Sequence, residues 1–186
     1  MGRVAENHLN QELRSNTMLI CIQNALDKYP EFIPTSGENA GKYISKPAAF
    51  WTCGFFPASL YCLLERSMKY PESLPAPNGH RVSFHNQLLQ LCRAWSAPLH
   101  KNVTRTNSHD LGFITRALRM DWELTGNTHS LQSYFTAANS LASRYDDQVG
   151  AIRSWDKVIS KRYNITDKGT NFVIIIDSMC SKLHEP

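Results

Sequence analysis

Two aspartates in this sequence stand where a carboxyl group can transfer protons. Asp177 follows five apolar residues, 172–176, and Asp110 directly precedes the apolar residue Leu111. Apolar runs are usually buried, and a carboxyl group that loses hydration favours its neutral form, which can donate a proton. The sequence alone leaves open whether Asp177 is a catalytic acid, and both aspartates fit the ordinary structural role of a helix N-cap.

Ring-bearing side chains occur in the other segments with unusual residues. Trp51 lies in FWTCGFFP, His109 in NSHDLGF, and Arg153 with Trp155 in VGAIRSWD. Taken singly, a tryptophan most often anchors a core or a loop, and a histidine or arginine most often makes ordinary polar contacts. Together with IIIDSM, four loop or helix-entry segments supply aromatic, basic and acidic groups, but composition and periodicity alone predict only a soluble α-helical domain and no particular function.

Metal and disulfide chemistry has no matching pattern. None of the seven histidines forms an HExxH-like pair, and the five cysteines are an odd number without a CxxC pair. We therefore expect no metal, no cofactor and no disulfide framework, and free thiols in a reducing cytoplasm.

The composition is that of a folded domain or part of one. The chain has 186 residues, of which 42% are hydrophobic, and its net charge of +4 mildly favours an anionic ligand. Basic residues are scattered and no nucleic-acid motif occurs, so we expect no DNA or RNA partner. The first eighteen residues are too polar for a signal peptide and no stretch reaches transmembrane length. These features predict a cytoplasmic protein without a membrane partner.

Helical periodicity dominates the chain. Apolar residues recur at helical spacing in three stretches: Met18–Tyr29, Leu88–Leu99 and Leu131–Tyr145. Two further helices are predicted, at 56–69 from Pro57 and at 111–125 before Gly126, together with one short strand at 172–176. Four connections are long for links between helices: 30–54, 70–80, 100–109 and 146–171. The sequence thus predicts an all-α fold with one face built from loops.

Five segments, in order along the chain, resemble the unsaturated glucuronyl hydrolases, glycoside hydrolase family eighty-eight: WTCGFFPASL, HDLGF, RALRMDWELTGN, VGAIRSWD and FVIIIDSM. HDLGF alone would be a weak signal, but five ordered segments between Trp51 and Met179 are specific. The resemblance implies an incomplete (α/α)6 toroid, the amino-terminal half of a six-hairpin helical barrel. Residues 1–186 would form a partial catalytic domain, with the active site in the loops at one end.

The resemblance also implies a substrate and roles for the selected residues. The substrate would be an oligosaccharide that ends in an unsaturated uronic acid, as glycosaminoglycan lyases produce. Hydration of its C4=C5 vinyl ether would release that sugar. Asp177 would be the general acid and base and Asp110 its companion carboxylate, while Trp51, His109 and Trp155 would line the subsite. We expect Asp177 to be protonated and Asp110, at a helix N-terminus, to be ionised.

The sequence departs from the family pattern at two places. Ala58 stands where the family usually has glycine after GFFP. After Met179 the similarity ends and the chain reads CSKLHEP, which suggests a truncated product. Half a ring would leave apolar helix surface without its partners, so we expect self-association and an inactive isolated chain.

Two alternatives to this interpretation stay open. The first is an unsaturated rhamnogalacturonyl hydrolase, a related toroid that acts on pectin fragments. The second is a fragment without catalysis that binds sugar or another subunit.

Overall fold

The computed structural model of the protein describes residues 28–73 and 81–179. Four α-helices lie in these residues: α1 (Phe55–Lys69), α2 (Arg81–Ser96), α3 (Leu111–Thr125) and α4 (Thr128–Ala142). Three antiparallel hairpins accompany them: β1 (Lys28–Phe32) with β2 (Ile44–Pro47), β3 (Tyr145–Asp146) with β4 (Ala151–Ile152), and β5 (Val158–Ile159) with β6 (Asn164–Ile165). Short 3₁₀ helices occur at Trp51–Gly54, Pro71–Ser73, Ala97–Asn102 and Ile176–Met179. None of the four α-helices in this described part of the chain is long and apolar enough to cross a membrane.

Helix α3 is the element that joins two apolar cores. Its residues Ile114 and Leu118 are fully buried in the larger core, where they pack with α1 and α2. Leu111, one turn earlier, belongs to a smaller core with Ala137 and Leu141 of α4. Each fully buried aliphatic side chain of this size contributes about 1.5–3 kcal/mol through the hydrophobic effect. Packing on both sides therefore fixes the amino-terminal end of α3.

A two-residue turn makes α3 and α4 antiparallel neighbours. Gly126 ends α3 in the left-handed region at φ 69°, where a residue with a Cβ is disfavoured, and its N–H donates to the carbonyl oxygen of Trp122 at 2.8 Å. The side chain of Asn127 then caps α4 by accepting a hydrogen bond from the N–H of His129 at 3.1 Å. The short connection leaves the two helices packed against each other.

The helices predicted at 56–69 and 111–125 are confirmed, with α1 beginning at Phe55 and α3 ending before Gly126. The Leu88–Leu99 pattern corresponds to α2 and the 3₁₀ helix that follows it. The third pattern, Leu131–Tyr145, corresponds to α4, but this helix ends at Ala142 because Tyr145 lies in strand β3.

Tyr29, the last residue of the first predicted helix, lies in strand β1 instead. The residue before a proline is disfavoured in helical conformation, and Pro30 follows Tyr29. The Tyr29 ring is buried, and its hydroxyl donates to the carbonyl oxygen of Trp95 at 2.7 Å. Residues 18–27 of that prediction lie outside the described residues.

The strand predicted at 172–176 is wrong. The segment is held by Ser154, whose N–H donates to the carbonyl oxygen of Val173 at 2.8 Å. The next bond uses the Ser154 side chain: Oγ accepts from the N–H of Ile175 at 2.9 Å. Because a hydroxyl replaces a backbone carbonyl here, no strand ladder forms, and the segment leads into the 3₁₀ helix Ile176–Met179.

Candidate active site

Two loop segments meet at the amino-terminal end of α3. Ser108 and Trp155 form an isolated antiparallel β-bridge. The backbone N–H of His109 donates to the carbonyl oxygen of Ser154 at 2.9 Å, across 45 residues of sequence. The NSHD and RSWD segments therefore lie side by side. Their pairing brings together three of the residues selected from the sequence, His109, Asp110 and Trp155.

Asp110 occupies the N-cap position of α3, but its side chain makes no capping hydrogen bond. Its Oδ2 accepts from Ser108 Oγ at 2.6 Å and lies 3.5 Å from the indole Nε1 of Trp155. Its Oδ1 lies 3.7 Å from Nε2 of His109. The carboxylate thus faces the neighbouring loop, while the positive end of the helix dipole still stabilises its charge. A plain capping role does not describe Asp110.

The ring of His109 is fully buried, and its partners define its tautomer. Nδ1 lies 3.1 Å from the carbonyl oxygen of Ser154. Because a carbonyl oxygen only accepts hydrogen bonds, Nδ1 carries a proton. Nε2 is then the ring nitrogen that faces Asp110. His109 is held on one edge by Ser154 and orients its other edge toward the carboxylate.

Four rings form a continuous row, which we name the aromatic arc: Trp51, Phe113, His109 and Trp155. Successive ring centroids along this row are 6.1, 6.1 and 5.2 Å apart. All three pairs meet edge to face, an arrangement that aromatic quadrupoles favour. Trp51 thus joins the other selected residues through Phe113, and its side chain is 44% exposed. Phe113 was not selected from the sequence. Its one signal there is its position three residues after Asp110, one helical turn along the same side of α3.

Gly54 determines how closely Trp51 approaches α3. A Cβ at Gly54 would lie 2.1 Å from the carbonyl oxygen of Phe113 and 2.7 Å from that of Ile114. Only glycine permits this contact between the 3₁₀ helix Trp51–Gly54 and the first turn of α3. Gly54 was not selected from the sequence. The signal present in the sequence is a single glycine among apolar residues in FWTCGFFP, just before α1, where close backbone packing can require glycine.

Asp177 is exposed, which corrects the expectation that its apolar neighbours bury it. The side chain of Ile176 is 81% exposed, and Ile174 is exposed as well. The run 172–176 pairs with one serine rather than entering a sheet, so within the described residues it does not shield the carboxyl group from water. Asp177 also lies inside a 3₁₀ helix, not at the cap of a helix that begins at Ser178.

Ser178 ties the Asp177 segment to the rest of the site. Its Oγ lies 2.6 Å from Oγ of Ser154, the same residue whose carbonyl oxygen holds His109. The structure therefore places the Asp177 segment next to the RSWD loop. It brings the other four selected residues into one connected row of contacts.

Arg144 clamps the two loops that form the site. Its side chain is buried in the short link between α4 and β3. There, Nη1 lies 3.0 Å from Oδ1 of Asp156 and donates to the carbonyl oxygen of Thr106. Its Nε donates to the carbonyl oxygen of Arg153 at 2.8 Å. Burial lowers the pKa of Arg144, and the Asp156 carboxylate opposes that change. Arg144 was not predicted from the sequence, where its one signal is a cation within the apolar pattern Leu131–Tyr145.

A cavity of about 390 Å³ opens beside Trp155. Its remaining walls come from the β5–β6 hairpin and from the extended segment: Val158, Tyr163, Ile165, Phe172, Val173, Ile174 and Ile175. The guanidinium of Arg153, which the sequence analysis noted, stacks 4.5 Å from the Phe172 ring. Apolar walls beside polar groups suit the ring faces and hydroxyl groups of a sugar. Within residues 28–73 and 81–179, no three His, Cys, Asp or Glu side chains stand close enough to hold a metal ion.

The sequence is similar to curated hydrolases. It is 24% identical over 163 residues to an unsaturated chondroitin disaccharide hydrolase of Streptococcus pyogenes serotype M1, which covers 84% of this chain and 37% of that protein. It is 26% identical over 152 residues to an unsaturated glucuronyl hydrolase of Formosa agariphila, covering 78% of this chain and 31% of that protein. The chain spans about a third of the length of these relatives. No protein-family model matches it.

The fold is similar to that of a solved structure. An unsaturated glucuronyl hydrolase specific for heparin superposes with a TM-score of 0.64 at 22% identity, covering 95% of this chain and 40% of that one. This likeness confirms the fold class expected from the sequence, an incomplete α/α toroid. In sequence and in fold, the chain is similar to unsaturated glucuronyl hydrolases, of which it covers about a third in two curated sequences and 40% in the solved structure.

Proposed function

We propose that the chain hydrates the C4=C5 double bond of an unsaturated glucuronyl sugar and so releases it from an oligosaccharide. The main support is the group at the amino-terminal end of α3. There, the Asp110 carboxylate lies 3.7 Å from the His109 ring and 3.5 Å from the Trp155 indole nitrogen. The proposal agrees with the names of the curated relatives, and a hydrolase of this kind needs a proton donor, an oriented carboxylate and a surface for a sugar ring.

The reaction is a hydration of a vinyl ether. A carboxylic acid protonates C4, and the positive charge that develops at C5 is shared with the ring oxygen. Water then adds to C5 and returns a proton to the carboxylate. The hemiketal at C5 opens, and the hemiacetal at C1 that results breaks down to free the neighbouring sugar. Since no water attacks C1, the separation of two carboxylates does not predict a stereochemical outcome as it does for ordinary glycosidases.

We assign Asp177 as the general acid and base and Asp110 as the companion carboxylate. In this proposal, the negative charge of Asp110 stabilises the positive centre that develops at C5. Trp51 and Trp155, at the two ends of the aromatic arc, offer faces on which a sugar ring stacks, and His109 orients Asp110. The sequence predicted an inactive isolated chain. Because the described residues hold the candidate groups but leave Asp177 exposed to water, we propose slow turnover instead.

A second candidate is sugar binding without turnover. The exposure of Asp177 favours it, because an acid that stays fully hydrated protonates carbon poorly. This candidate requires only the aromatic arc and Asp110. It predicts saturable binding of the unsaturated disaccharide with no change in the sugar.

Incubation in deuterium oxide tests the proposal. The chain is mixed with an unsaturated chondroitin disaccharide, and early products are analysed by NMR and mass spectrometry. Hydration places one deuterium at C4 of the released uronic acid and a keto group at C5. Release without deuterium at C4 would contradict the mechanism, and an unchanged bound sugar would establish the binding alternative. An unsaturated pectin-derived disaccharide serves as the comparison substrate, and faster release from it would favour the rhamnogalacturonyl class.

A further inference from the structure

Ser154 is the residue at which the two parts of the candidate site converge. It is fully buried, and its backbone carbonyl oxygen accepts two hydrogen bonds from His109, one from the N–H at 2.9 Å and one from Nδ1 at 3.1 Å. In the other direction, its N–H donates to Val173 and its Oγ accepts from the N–H of Ile175. One buried residue therefore joins the two segments that carry the candidate carboxylates.

The hydroxyl of Ser154 completes this junction. Besides the 2.9 Å bond from the N–H of Ile175, Oγ lies 2.6 Å from Oγ of Ser178. The N–H of Ser178 in turn donates to the carbonyl oxygen of Ile175 at 3.1 Å. A hydroxyl has one proton to donate and two lone pairs, so both contacts of Ser154 Oγ can form together. Removing it leaves the N–H of Ile175 without that partner in a part-buried place, which is unfavourable.

We propose that Ser154 is a positioning residue of the hydration reaction. Its hydroxyl sets where Asp177 stands relative to the His109–Asp110 pair, and it does not touch the substrate. The inference rests on the proposed function for the role of Asp177. The physical need is clear from the fold: the segment 172–176 pairs with no strand among the described residues, so the Ser154 bonds fix its path. A misplacement of about 1 Å lowers a reaction rate by roughly 100-fold.

Three single substitutions separate positioning from general stability. Ser154→Ala removes the hydroxyl and both of its contacts. Ser178→Ala removes one contact and keeps the bond from Ile175, so it is the milder variant if Ser154→Ala folds poorly. Ser130→Ala is the matched control, because Ser130 is also a buried serine and its Oγ donates to Oδ2 of Asp121 at 2.6 Å. Asp121 lies eleven residues along α3 from Asp110, roughly 16 Å away at the helical rise per residue.

Steady-state kinetics with an unsaturated chondroitin disaccharide gives the first measurement. We expect Ser154→Ala to lower kcat by about 10- to 100-fold while KM changes by less than about threefold. Ser178→Ala is expected to lower kcat by a smaller factor. Ser130→Ala is expected to keep the kcat of the unsubstituted chain even though it lowers the melting temperature as much. A loss of kcat in Ser130→Ala equal to that in Ser154→Ala would overturn the proposal, since the effect would then be one of stability.

Hydrogen exchange gives a second measurement that does not depend on turnover. The amide of Ile175 is expected to exchange faster in Ser154→Ala and to keep its protection in Ser178→Ala and Ser130→Ala, because only the first variant removes its acceptor. If the unsubstituted chain shows no turnover, the proposed function fails. The exchange rate of the Ile175 amide then still tests whether Ser154 holds the segment 172–176 in place. Unchanged exchange of Ile175 in Ser154→Ala would overturn the inference in either case.

Discussion

At the scale of single residues, the chemistry depends on how two carboxylates are held differently. Asp110 accepts a 2.6 Å hydrogen bond from Ser108 and faces the His109 ring, whereas Asp177 stands in water. A carboxylate fixed by donors at a helix N-terminus serves as a stable negative charge. An acid that must both give and take a proton needs access to the reacting carbon and to water. The environment of Asp110 suits the fixed negative charge of the proposal, whereas the exposure of Asp177 to water is unfavourable for protonating carbon.

The role of Asp110 can be tested by removing its charge. Asp110→Asn keeps an oxygen that can accept from Ser108, so the fold should stay intact. We expect turnover of the unsaturated disaccharide to fall by about 100-fold, because the developing positive charge loses its partner. Steady-state kinetics measures the loss, and thermal melting checks the fold.

The control for this prediction is Asp167→Asn. Asp167 is exposed and its carboxylate accepts bonds from Gly169 and Thr170 in a turn. Turnover in this variant should equal that of the unsubstituted chain. If Asp110→Asn behaves like Asp167→Asn, Asp110 has no part in the reaction.

At the scale of elements, α3 presents the site at one end and a hydrogen-bonded network at the other. Asp121 is buried there and accepts bonds from Thr125, Asn127 and Ser130, with Arg93 at 3.6 Å. Burial acts to raise the pKa of Asp121, but the hydrogen bonds outweigh burial and lower the pKa. The network ties α3 to α4 at the end of α3 that is far from Asp110, so it contributes to stability rather than to the candidate site.

Close packing of the Trp51–Gly54 3₁₀ helix on α3 can be tested with one methyl group. Gly54→Ala places a Cβ against the carbonyl oxygens of Phe113 and Ile114, at distances that no relaxed structure tolerates. We expect a loss of about 3 kcal/mol in the free energy of unfolding, and a shift of Trp51 that weakens sugar binding. Chemical denaturation and near-ultraviolet circular dichroism measure the two effects.

Gly169→Ala is the matched control for the packing test. A Cβ at Gly169 would meet only Oδ1 of Asp167, at 3.3 Å, and that side chain lies in an exposed turn. Its stability should therefore change little. Equal free energies of unfolding for the Gly54→Ala and Gly169→Ala variants would show that the 3₁₀ helix Trp51–Gly54 does not pack closely against α3.

His100 makes the packing of the Ala97–Asn102 3₁₀ helix on α4 sensitive to pH. Its Nδ1 lies 2.7 Å from Oγ of Ser133, and its ring stacks on His129 with centroids 4.3 Å apart. Burial lowers the pKa of His100, and His129 lowers it further, while Asp121 acts in the opposite direction. The unfolded chain therefore binds a proton at a higher pH than the folded chain does.

The sign of the pH effect follows from this difference. The stability contributed by neutral His100 is fully present above the ordinary histidine pKa of about 6.5 and is lost as the pH falls through the lower pKa of the folded state. We expect the free energy of unfolding to decrease between roughly pH 7 and pH 5. His100→Asn, which retains a group near the position of Nδ1, should flatten this decrease. An identical slope in the variant would show that His100 does not cause it.

At the scale of the whole molecule, the chain carries part of a ring and leaves apolar surface in contact with water. Leu63 and Met68 of α1, Phe135 of α4, and Ile174 and Ile176 near the site are all exposed. Large apolar side chains that stay exposed in this number favour association with another protein surface. The curated relatives are more than twice as long as this chain, so additional sequence is available in them to pack against such surface.

Self-association is the prediction that belongs to this scale. We expect the average mass in sedimentation experiments to rise with protein concentration. Ile176→Ser should reduce the effect, because it removes the most exposed large apolar side chain in the described residues. Val82→Ser is the control, since Val82 is also strongly exposed but lies on α2. A mass that stays that of one chain at all concentrations would contradict this expectation.

Local signals explain which parts of the fold could be predicted from the sequence. Gly126 ends α3 and Pro57 lies in the first turn of α1, so the boundaries of both helices followed from backbone chemistry. The strand predicted at 172–176 is absent, although the segment has the apolar composition typical of a buried strand. Composition does not reveal whether a second strand is available, and here a serine hydroxyl supplies the bond instead.

The candidate site shows the same limit. The resemblance selected His109, Asp110 and Trp155 because motif residues are visible in the sequence itself. Gly54 and Ser154 were not selected, since their roles arise from contacts with residues far away in sequence. A Cβ at Gly54 would lie 2.1 Å from the carbonyl oxygen of Phe113. Ser154 forms hydrogen bonds with two separate segments, through His109 and Ile175. Such roles become visible only when the chain is folded.

The most direct test of the account follows the absorbance of an unsaturated chondroitin disaccharide in the presence of the chain. The conjugated C4=C5 bond absorbs in the ultraviolet, and hydration removes that absorbance. The account predicts a slow loss of absorbance with the unsubstituted chain and none with Asp177→Asn. An equal loss with Asp177→Asn, or a constant absorbance with the unsubstituted chain, would contradict the central claim that this chain uses Asp177 to hydrate the sugar.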